Sequence, residues 1–347
     1  MQSISKNKEY FAVDIFSGCG GLSEGLRQAG FKVAAALEMD EYAATCYSMN
    51  HPETALIKKD IRKVTASDIK KILGEKKLHL LTGCPPCQGF STVRRLNKKK
   101  SVRDPRNSLI LDYLRLVKEL KPLTIMLENV AALKDYYLFK LLMRSLELLG
   151  YKIDYDIVNI AEYGVPQRRK RLVMVGSLLD KIEVAPTTRK LKTVRDAIGN
   201  LTSIKKTRDR LHRITAGHTI KVQKMIKLIP HNGGSRSDLP KRYELNCHKK
   251  QSIGFKDIYG RLRWDDVSST ITGGCLNPSK GRFLHPTENR VITPREAALL
   301  QTFPAKYQFP INIPKGELAA LIGNALPPKF SRIQARHIMN HIKKYHG

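Results

Sequence analysis

The side chains best suited to chemistry fall in four short stretches. The first reads Asp14-Ile15-Phe16-Ser17-Gly18-Cys19-Gly20-Gly21, between an apolar run and a helical pattern. Glycines there let the backbone turn sharply and let a ligand approach closely. Glu38 ends the next apolar run, about 20 residues on, where an acid suits ribose hydroxyls. A dinucleotide fingerprint would want a third glycine where Ser23 stands. An adenosyl ligand without a pyrophosphate suits the motif better, and Asp60, after a further apolar stretch, is placed to bond an adenine amino group.

The second stretch is Gly83-Cys84-Pro85-Pro86-Cys87-Gln88-Gly89-Phe90-Ser91. Cys84 and Cys87 have the spacing of a redox pair. They could also form half a zinc site completed by Cys247 and His248, although adjacent ligands have poor geometry for structural zinc. The third reading is a single cysteine nucleophile. Glu128-Asn129-Val130 follows an apolar strand pattern directly, and a carboxylate at a strand's carboxyl end sits where open α/β sheets place active sites. An acid near a helix start is the plainer account of such a residue. Gln167-Arg168-Arg169-Lys170-Arg171 is the fourth stretch, and such a basic run is usually a solvated loop.

The elements that must hold these residues alternate. Strand-like runs cover residues 11–15, 32–37, 78–82, 124–127, 152–160 and 171–176. Helical patterns cover 22–29, 41–49, 109–120 and 139–149. This alternation predicts an α/β fold, a mostly parallel sheet with helices on both faces. From about residue 200 to 286 the texture changes to Lys/Arg-rich sequence with Gly, Ser and Asn clusters, such as residues 231–238, and includes the single Trp264. Helical patterning returns at 294–301, 317–325 and 330–345. The expected division is a catalytic and cofactor-binding domain over 1–199, a small domain over 200–288, and a return to the first domain over 289–347.

Composition narrows the function classes. The 347 residues are 41% hydrophobic and 27% charged, enough for a sizeable core. Six cysteines are too few for a disulfide scaffold of this length and fit reduced thiols in a cytoplasm. No apolar stretch has the length of a signal peptide or a membrane helix. Lys and Arg number 62 against 31 Asp and Glu, a net charge of +31. The isoelectric point of about 10.0 is the electrostatic footprint of nucleic-acid binding.

Taken in order, the four stretches resemble the DNA (cytosine-5) methyltransferases of bacterial type, over nearly the whole chain. The resemblance implies an S-adenosylmethionine-dependent, Rossmann-like methyltransferase fold with a small target-recognition domain. It implies S-adenosyl-L-methionine as cofactor, held by Phe16, Gly18, Gly20, Gly21, Glu38, Met39, Asp60, Ile61 and Asn324. Met39 stands where the family often has an aromatic residue. Pro86-Cys87-Gln88 matches the nucleophile motif, Glu128 opens the Glu-Asn-Val motif, and Gln167, Arg169 and Arg171 match Gln-x-Arg-x-Arg. Residues 290–304 and Gly323-Asn324-Ala325 match the last two family blocks.

By the same resemblance the partner is double-stranded DNA. Cys87, Glu128, Arg169 and Arg171 are the implied catalytic residues; Pro86, Gln88, Gln167, Arg94, Arg95, Lys98, Lys99, Lys100 and Thr270 are implied contacts to substrate. The cysteine thiolate adds to cytosine carbon 6, and carbon 5 then attacks a sulfonium methyl. Only a thiolate is reactive enough, and the base must first be flipped from the duplex. No metal is expected. A monomer is the expected state, with a cognate restriction endonuclease, where one exists, acting separately. An RNA cytosine-5 methyltransferase and a catalytically silent DNA-binding subunit are the competing readings. The family's transfer-RNA branch carries a Cys-Phe-Thr element that is missing here. Cys87, Glu128, Gln167 and Arg169 together argue against a silent subunit.

Cys87→Ser should abolish methyl transfer and leave DNA binding largely intact, because a hydroxyl is a far weaker nucleophile of similar size. Cys84→Ser should stay active. Radiolabelled methyl transfer beside a DNA-binding titration checks both. Turnover by the first variant, or inactivity with metal loss in the second, would overturn the single-nucleophile reading.

Overall fold

The computed structural model describes residues 8–86, 108–243 and 257–346. Its first half alternates as the apolar runs require: β1 (Tyr10–Ile15), α1 (Gly21–Ala29), β2 (Phe31–Leu37), α2 (Glu41–Asn50), β3 (Ala55–Ile57), α3 (Ala66–Leu73), β4 (Leu78–Gly83), α4 (Leu109–Leu120), β5 (Thr124–Val130), α5 (Tyr137–Leu148), β6 (Lys152–Asn159) and β7 (Lys170–Ser177). The first strands are apolar nearly throughout because both sheet faces are covered. Gly30, at φ 103°, closes α1 in the left-handed conformation that glycine adopts without a Cβ penalty.

The seven strands form one sheet in the order β3-β2-β1-β4-β5-β7-β6. All neighbours from β3 to β5 run parallel. β7 is antiparallel to both β5 and β6. The sheet is therefore mostly parallel, with one reversed strand. From β1 the chain winds outward in one direction through β2 and β3 and in the other through β4 and β5. The reversal falls between β1 and β4, and in open α/β sheets ligands bind outside the carboxyl ends at such a point. The glycine stretch after β1 and the Cys84-Pro85-Pro86 run after β4 both emerge there.

One face of the sheet packs on α3, α4 and α5 around Leu81, Tyr113, Leu127 and Leu142. The remaining helices are α6 (Val194–Ile198), α7 (Arg210–Arg213), α8 (Ile220–Leu228), α9 (Pro294–Leu300), α10 (Lys315–Asn324) and α11 (Pro328–His346). The opposite face packs on α1 and α11 through Leu22, Leu26, Phe330 and Ile338. A Cβ at Gly25 would lie 2.3 Å from Ser331 Cβ, so these two helices touch through a glycine. A third core joins Leu211, Ile226, Leu262 and Ile271 to Ala298, Phe303 and Ile322, with Cys19 and Cys46 at its edge. Among the described residues no helix is long and apolar enough to cross a membrane.

One boundary differs from the sequence expectation in a way that matters. Glu128 does not follow its strand; it lies inside it. β5 runs on to Val130 because β7 pairs with it through Val130↔Arg171, so ladder hydrogen bonds extend the strand past its apolar stretch.

Candidate active site

The sheet register brings the polar groups together. Asp14 pairs with Thr82 across β1 and β4, and Thr82 with Met126 across β4 and β5. Successive side chains alternate faces, so Asp14, Thr82, Met126 and Glu128 share one face. Across the β5/β7 pair, Arg171 sits opposite Val130 on that same face. Arg171 Nε lies 2.9 Å from Glu128 Oε1, and the two side chains are only 17% and 9% exposed. Cys84 adjoins Glu128, and burial, the Glu128 charge and Asp14 push its thiol well above the usual range. Asn129 Nδ2 donates to Pro85 O at 2.9 Å. The Glu-Asn-Val stretch therefore anchors the chain two residues before position 87.

The basic stretch is not a solvated loop. Gln167 is fully buried. Ile271 N–H donates to its Oε1 at 3.0 Å, and its Nε2 donates to Gln301 Oε1 and Leu300 O. Gln301 in turn donates to Ile322 O at 2.7 Å. Arg169 Nη1 donates to Ile271 O and to Gly323 O, each at 3.1 Å. Burial, with Arg171 close by, lowers the Arg169 guanidinium to about 9. Thr270 Oγ1 donates to Arg168 O at 2.6 Å, and Arg168 N–H to Ser268 O at 2.9 Å. Residues 167–169 and 268–271 are thus clasped together against the end of α10. Gly323 is glycine because a Cβ there would meet the Thr272 carbonyl carbon at 2.0 Å.

Gln167 was expected to touch DNA; its amide is instead engaged inside the protein. Sequence reasoning also missed Gln301, which joins the clasp. Its only signal is its place in Leu300-Gln301-Thr302-Phe303-Pro304.

At the end of β1, Phe16 adopts φ 62° and Gly18 φ 56°. A Cβ at Gly18 would meet nothing within 4 Å, whereas one at Gly20 would strike Tyr307 and His51, and one at Gly21 the Leu326 carbonyl. Of the three glycines, Gly18 alone faces open space; Gly20 and Gly21 are required by protein neighbours. Glu38 caps the loop: Gly18 N–H donates to its Oε2, and Met39 N–H and Asp40 N–H to its Oε1, each at 2.8 Å. Burial raises the Glu38 carboxyl above its ordinary range despite these bonds. Met39 is 64% exposed beside it. Asp60 follows β3 and is held by Arg62, whose backbone and side-chain N–H groups donate to it. Ile61 is buried under that turn, and Asn324 is exposed at the end of α10. The open space at Gly18, beside the Glu38 carboxylate, is room that a ligand can enter against bare backbone.

Cys87, Gln88, Arg94, Arg95, Lys98, Lys99 and Lys100 lie outside the described residues, as do Cys247 and His248. Among the described residues no cluster of His, Cys, Asp or Glu could hold a metal ion.

The family model for C-5 cytosine-specific DNA methylases matches residues 10–341. The chain belongs to that family. It is 35% identical to the Type II methylase M.HgiDII of Herpetosiphon aurantiacus, over 96% of each chain. It is 30% identical to the Type II methyltransferase M.XorII of Xanthomonas oryzae pv. oryzae, over 96% of this chain and 85% of the relative. A structure described as a prophage-encoded DNA modification methyltransferase (E. coli) superposes with a TM-score of 0.75 at 24% identity, over 96% of this chain and 100% of that one. The fold is that of the C-5 cytosine methylases, and the protein is a DNA (cytosine-5) methyltransferase.

Two outcomes follow for this methylase. Gln167→Leu should lower stability by about 1–3 kcal/mol, because the Ile271 N–H and the Gln301 amide lose buried partners. Denaturant unfolding measures this; an unchanged midpoint with weakened DNA binding would return Gln167 to the DNA interface. Asp14 is fully buried and accepts from Ser23 Oγ at 2.6 Å. Burial, with Glu38 adding to it, raises its carboxyl to about 7. The folded protein therefore keeps a proton there that the unfolded chain has released. That stability is fully present below about pH 4 and is lost as pH rises through about 7. Asp14→Asn, which still accepts from Ser23, should gain stability relative to the parent across this window. A melting-temperature difference that stays constant from pH 4 to 7 would count against it.

Proposed function

We propose that this methylase uses S-adenosyl-L-methionine, seated at Gly18 and Glu38, to methylate a cytosine flipped from duplex DNA into the site at Glu128. The observation that carries the reading is the Glu128–Arg171 pair at the carboxyl ends of the central strands, beside the anchored Pro85. Phe16, Gly18, Glu38, Met39, Asp60, Ile61 and Asn324 surround the adenosyl seat, and Gly20 and Gly21 shape its wall. The bound cofactor supplies an electrophilic sulfonium methyl.

Cys87 is the nucleophile. Its thiolate bonds to cytosine carbon 6, and the electrons of the 5,6 double bond move to carbon 5, which would bond the methyl group as the sulfur–methyl bond breaks and its electron pair stays on sulfur. Glu128 holds the exocyclic amine and ring nitrogen 3, where protonation offsets the charge developing during addition. Arg171 orients the Glu128 carboxylate, and Arg169 locks the loop that carries both arginines. Loss of the carbon-5 proton to water then restores the ring double bond and expels the Cys87 thiolate. Arg94, Arg95, Lys98, Lys99 and Lys100, with Pro86, Gln88 and Thr270, contact the DNA around the base. The +31 charge supports binding to its phosphates.

The Type II relatives favour a role in a restriction-modification system, with a solitary modification enzyme as the alternative. Residues 200–288 act as the target-recognition domain of a cytoplasmic monomer. Incubation with duplex DNA or RNA and radiolabelled methyl donor tests the reading: label in duplex DNA as 5-methylcytosine supports it, and label confined to RNA, or none, overturns it. Glu38→Ala should weaken S-adenosyl-L-methionine binding, since a hydrogen bond to a charged group contributes about 1.5–3 kcal/mol, roughly 10- to 150-fold in affinity. Calorimetry giving an unchanged dissociation constant would remove Glu38 from the cofactor site.

A further inference from the structure

α11 carries five Lys or Arg side chains and no Asp or Glu over its 19 residues. Its apolar residues Phe330, Ile338, Met339 and Ile342 are buried against the sheet. No continuous apolar stripe is left for a membrane or for the groove of another protein. On the outward side Arg332, Arg336 and Lys343 fall within an arc of about 40° and span about 16 Å of helix axis. Arg336 and Lys343 are exposed, and Arg332 is half-buried. Arg332 and Arg336 stand four residues apart, where like charges on a helix repel. Acids that border the helix are already engaged. Asp180, near Lys344, holds Lys152 at 2.8 Å, and Asp196, near Lys329, holds Lys192 at 3.4 Å. Among the described residues Arg332, Arg336 and Lys343 have no ion-pair partner.

The stripe leads away from the candidate active site. At the near end of α11, Lys329 Nζ donates to Gly164 O at 2.9 Å, three residues before Gln167. At the far end, Lys343 Nζ lies 5.8 Å from the centre of the Tyr10 ring. Lys8 Nζ donates to His346 O at 2.6 Å, and Lys77 Nζ to His346 Nε2 at 3.1 Å. Tyr10 opens β1 and Leu78 opens β4, so this end lies at the amino edge of the sheet. Glu38 and Glu128 lie at the carboxyl edge. Two further lysines therefore join the stripe where it is farthest from the chemistry.

We infer that Arg332, Arg336 and Lys343 on α11 form a second DNA-contacting surface, which grips the phosphates of a duplex segment other than the one held at Glu128. The inference rests on the reading of duplex DNA as the substrate. Three cations in line suit a regular polyanion better than a small anion. A duplex presents one phosphate charge per about 1.7 Å of axis, so the stripe meets several at once. Phosphate contacts carry no sequence information. They let a protein slide and hop along DNA, so this surface keeps the enzyme on a long polymer while the opposite edge engages the target.

The test compares the full-length parent with Arg332→Gln/Arg336→Gln/Lys343→Gln and with the charge-preserving Arg332→Lys/Arg336→Lys. The probe is a short duplex of A·T pairs alone, which offers no cytosine. At low salt the parent should bind two such duplexes per chain, and the triple variant one. The salt dependence of binding to long DNA should flatten in the triple variant by about 0.9 for each lost phosphate contact. Methylation of sheared genomic DNA and calorimetric cofactor affinity should stay at the parent values, and the lysine variant should behave as the parent. Equal stoichiometry and salt dependence in parent and triple variant overturn the inference. So does a loss of kcat or cofactor affinity in the triple variant, which would show an effect through the packing of α1, and so does loss of the second duplex in the lysine variant. Vesicles of phosphatidylglycerol released by the triple substitution, with duplex stoichiometry unchanged, would assign the stripe to a membrane surface instead. A parent that methylates no duplex DNA refutes the substrate reading itself, a result distinct from any of these.

Discussion

The antiparallel pairing of β7 with β5 is the constraint on which the candidate site depends. A parallel strand at that position would begin, not end, away from the carboxyl edge of the sheet. Because β7 runs the other way, its first residues arrive at the carboxyl end of β5, and Arg171 falls beside Val130. The alternation of side chains then sets Arg171 on the Glu128 face, and the ion pair closes at 2.9 Å. Removing either partner would leave the other charge poorly compensated in a largely buried place, which costs several kcal/mol. The reversed strand and the Glu128–Arg171 pair are one feature seen at two scales.

Around that pair, segments remote in sequence are joined by buried polar bonds. The Gln167–Ile271 and Arg169–Gly323 contacts span 104 and 154 residues. Backbone groups with no place in the sheet or helices need partners, and here long amides and a guanidinium provide them. The glycines serve the same end by letting backbones approach. Gly323 admits the Thr272–Gly273 backbone, and Gly21 the Leu326 carbonyl. Ring packing closes the other side, where Tyr307 OH donates to Cys19 O and Phe303 lies 4.7 Å from the Tyr307 ring. The glycine loop after β1 is therefore supported from the C-terminal third of the chain.

Two of the buried arginines divide the work of rigidity. Arg169 fixes the loop that leads into Arg171, and Arg261 joins the end of α8 to the turn at 285–289. Both bond mainly to carbonyl oxygens. A guanidinium suits this task because its five donors lie in a fixed plane and can satisfy several carbonyls at once. Arg171, which faces a carboxylate, is the one that remains partly exposed.

Local sequence determined the elements. Apolar runs, helical spacing and terminal glycines placed β1, α1, β2 and α4 to within a residue or so, because those signals act over a few positions. The four chemistry-bearing stretches, and the resemblance they carry in that order, were also legible, since each is contiguous. Which of Gly18, Gly20 and Gly21 faces open space was not, because glycine answers a ligand and a tight protein contact in the same way. Nor was the burial of Gln167 in a run that reads as a solvated basic loop, the extension of β5 through Glu128, or the five bonds of Arg261. Each depends on a partner strand, a helix end or a turn between 24 and 134 residues away, in Arg261 and Gln167 respectively. Spacing along the chain carries no record of such contacts; only the closed tertiary structure brings the acceptors within reach.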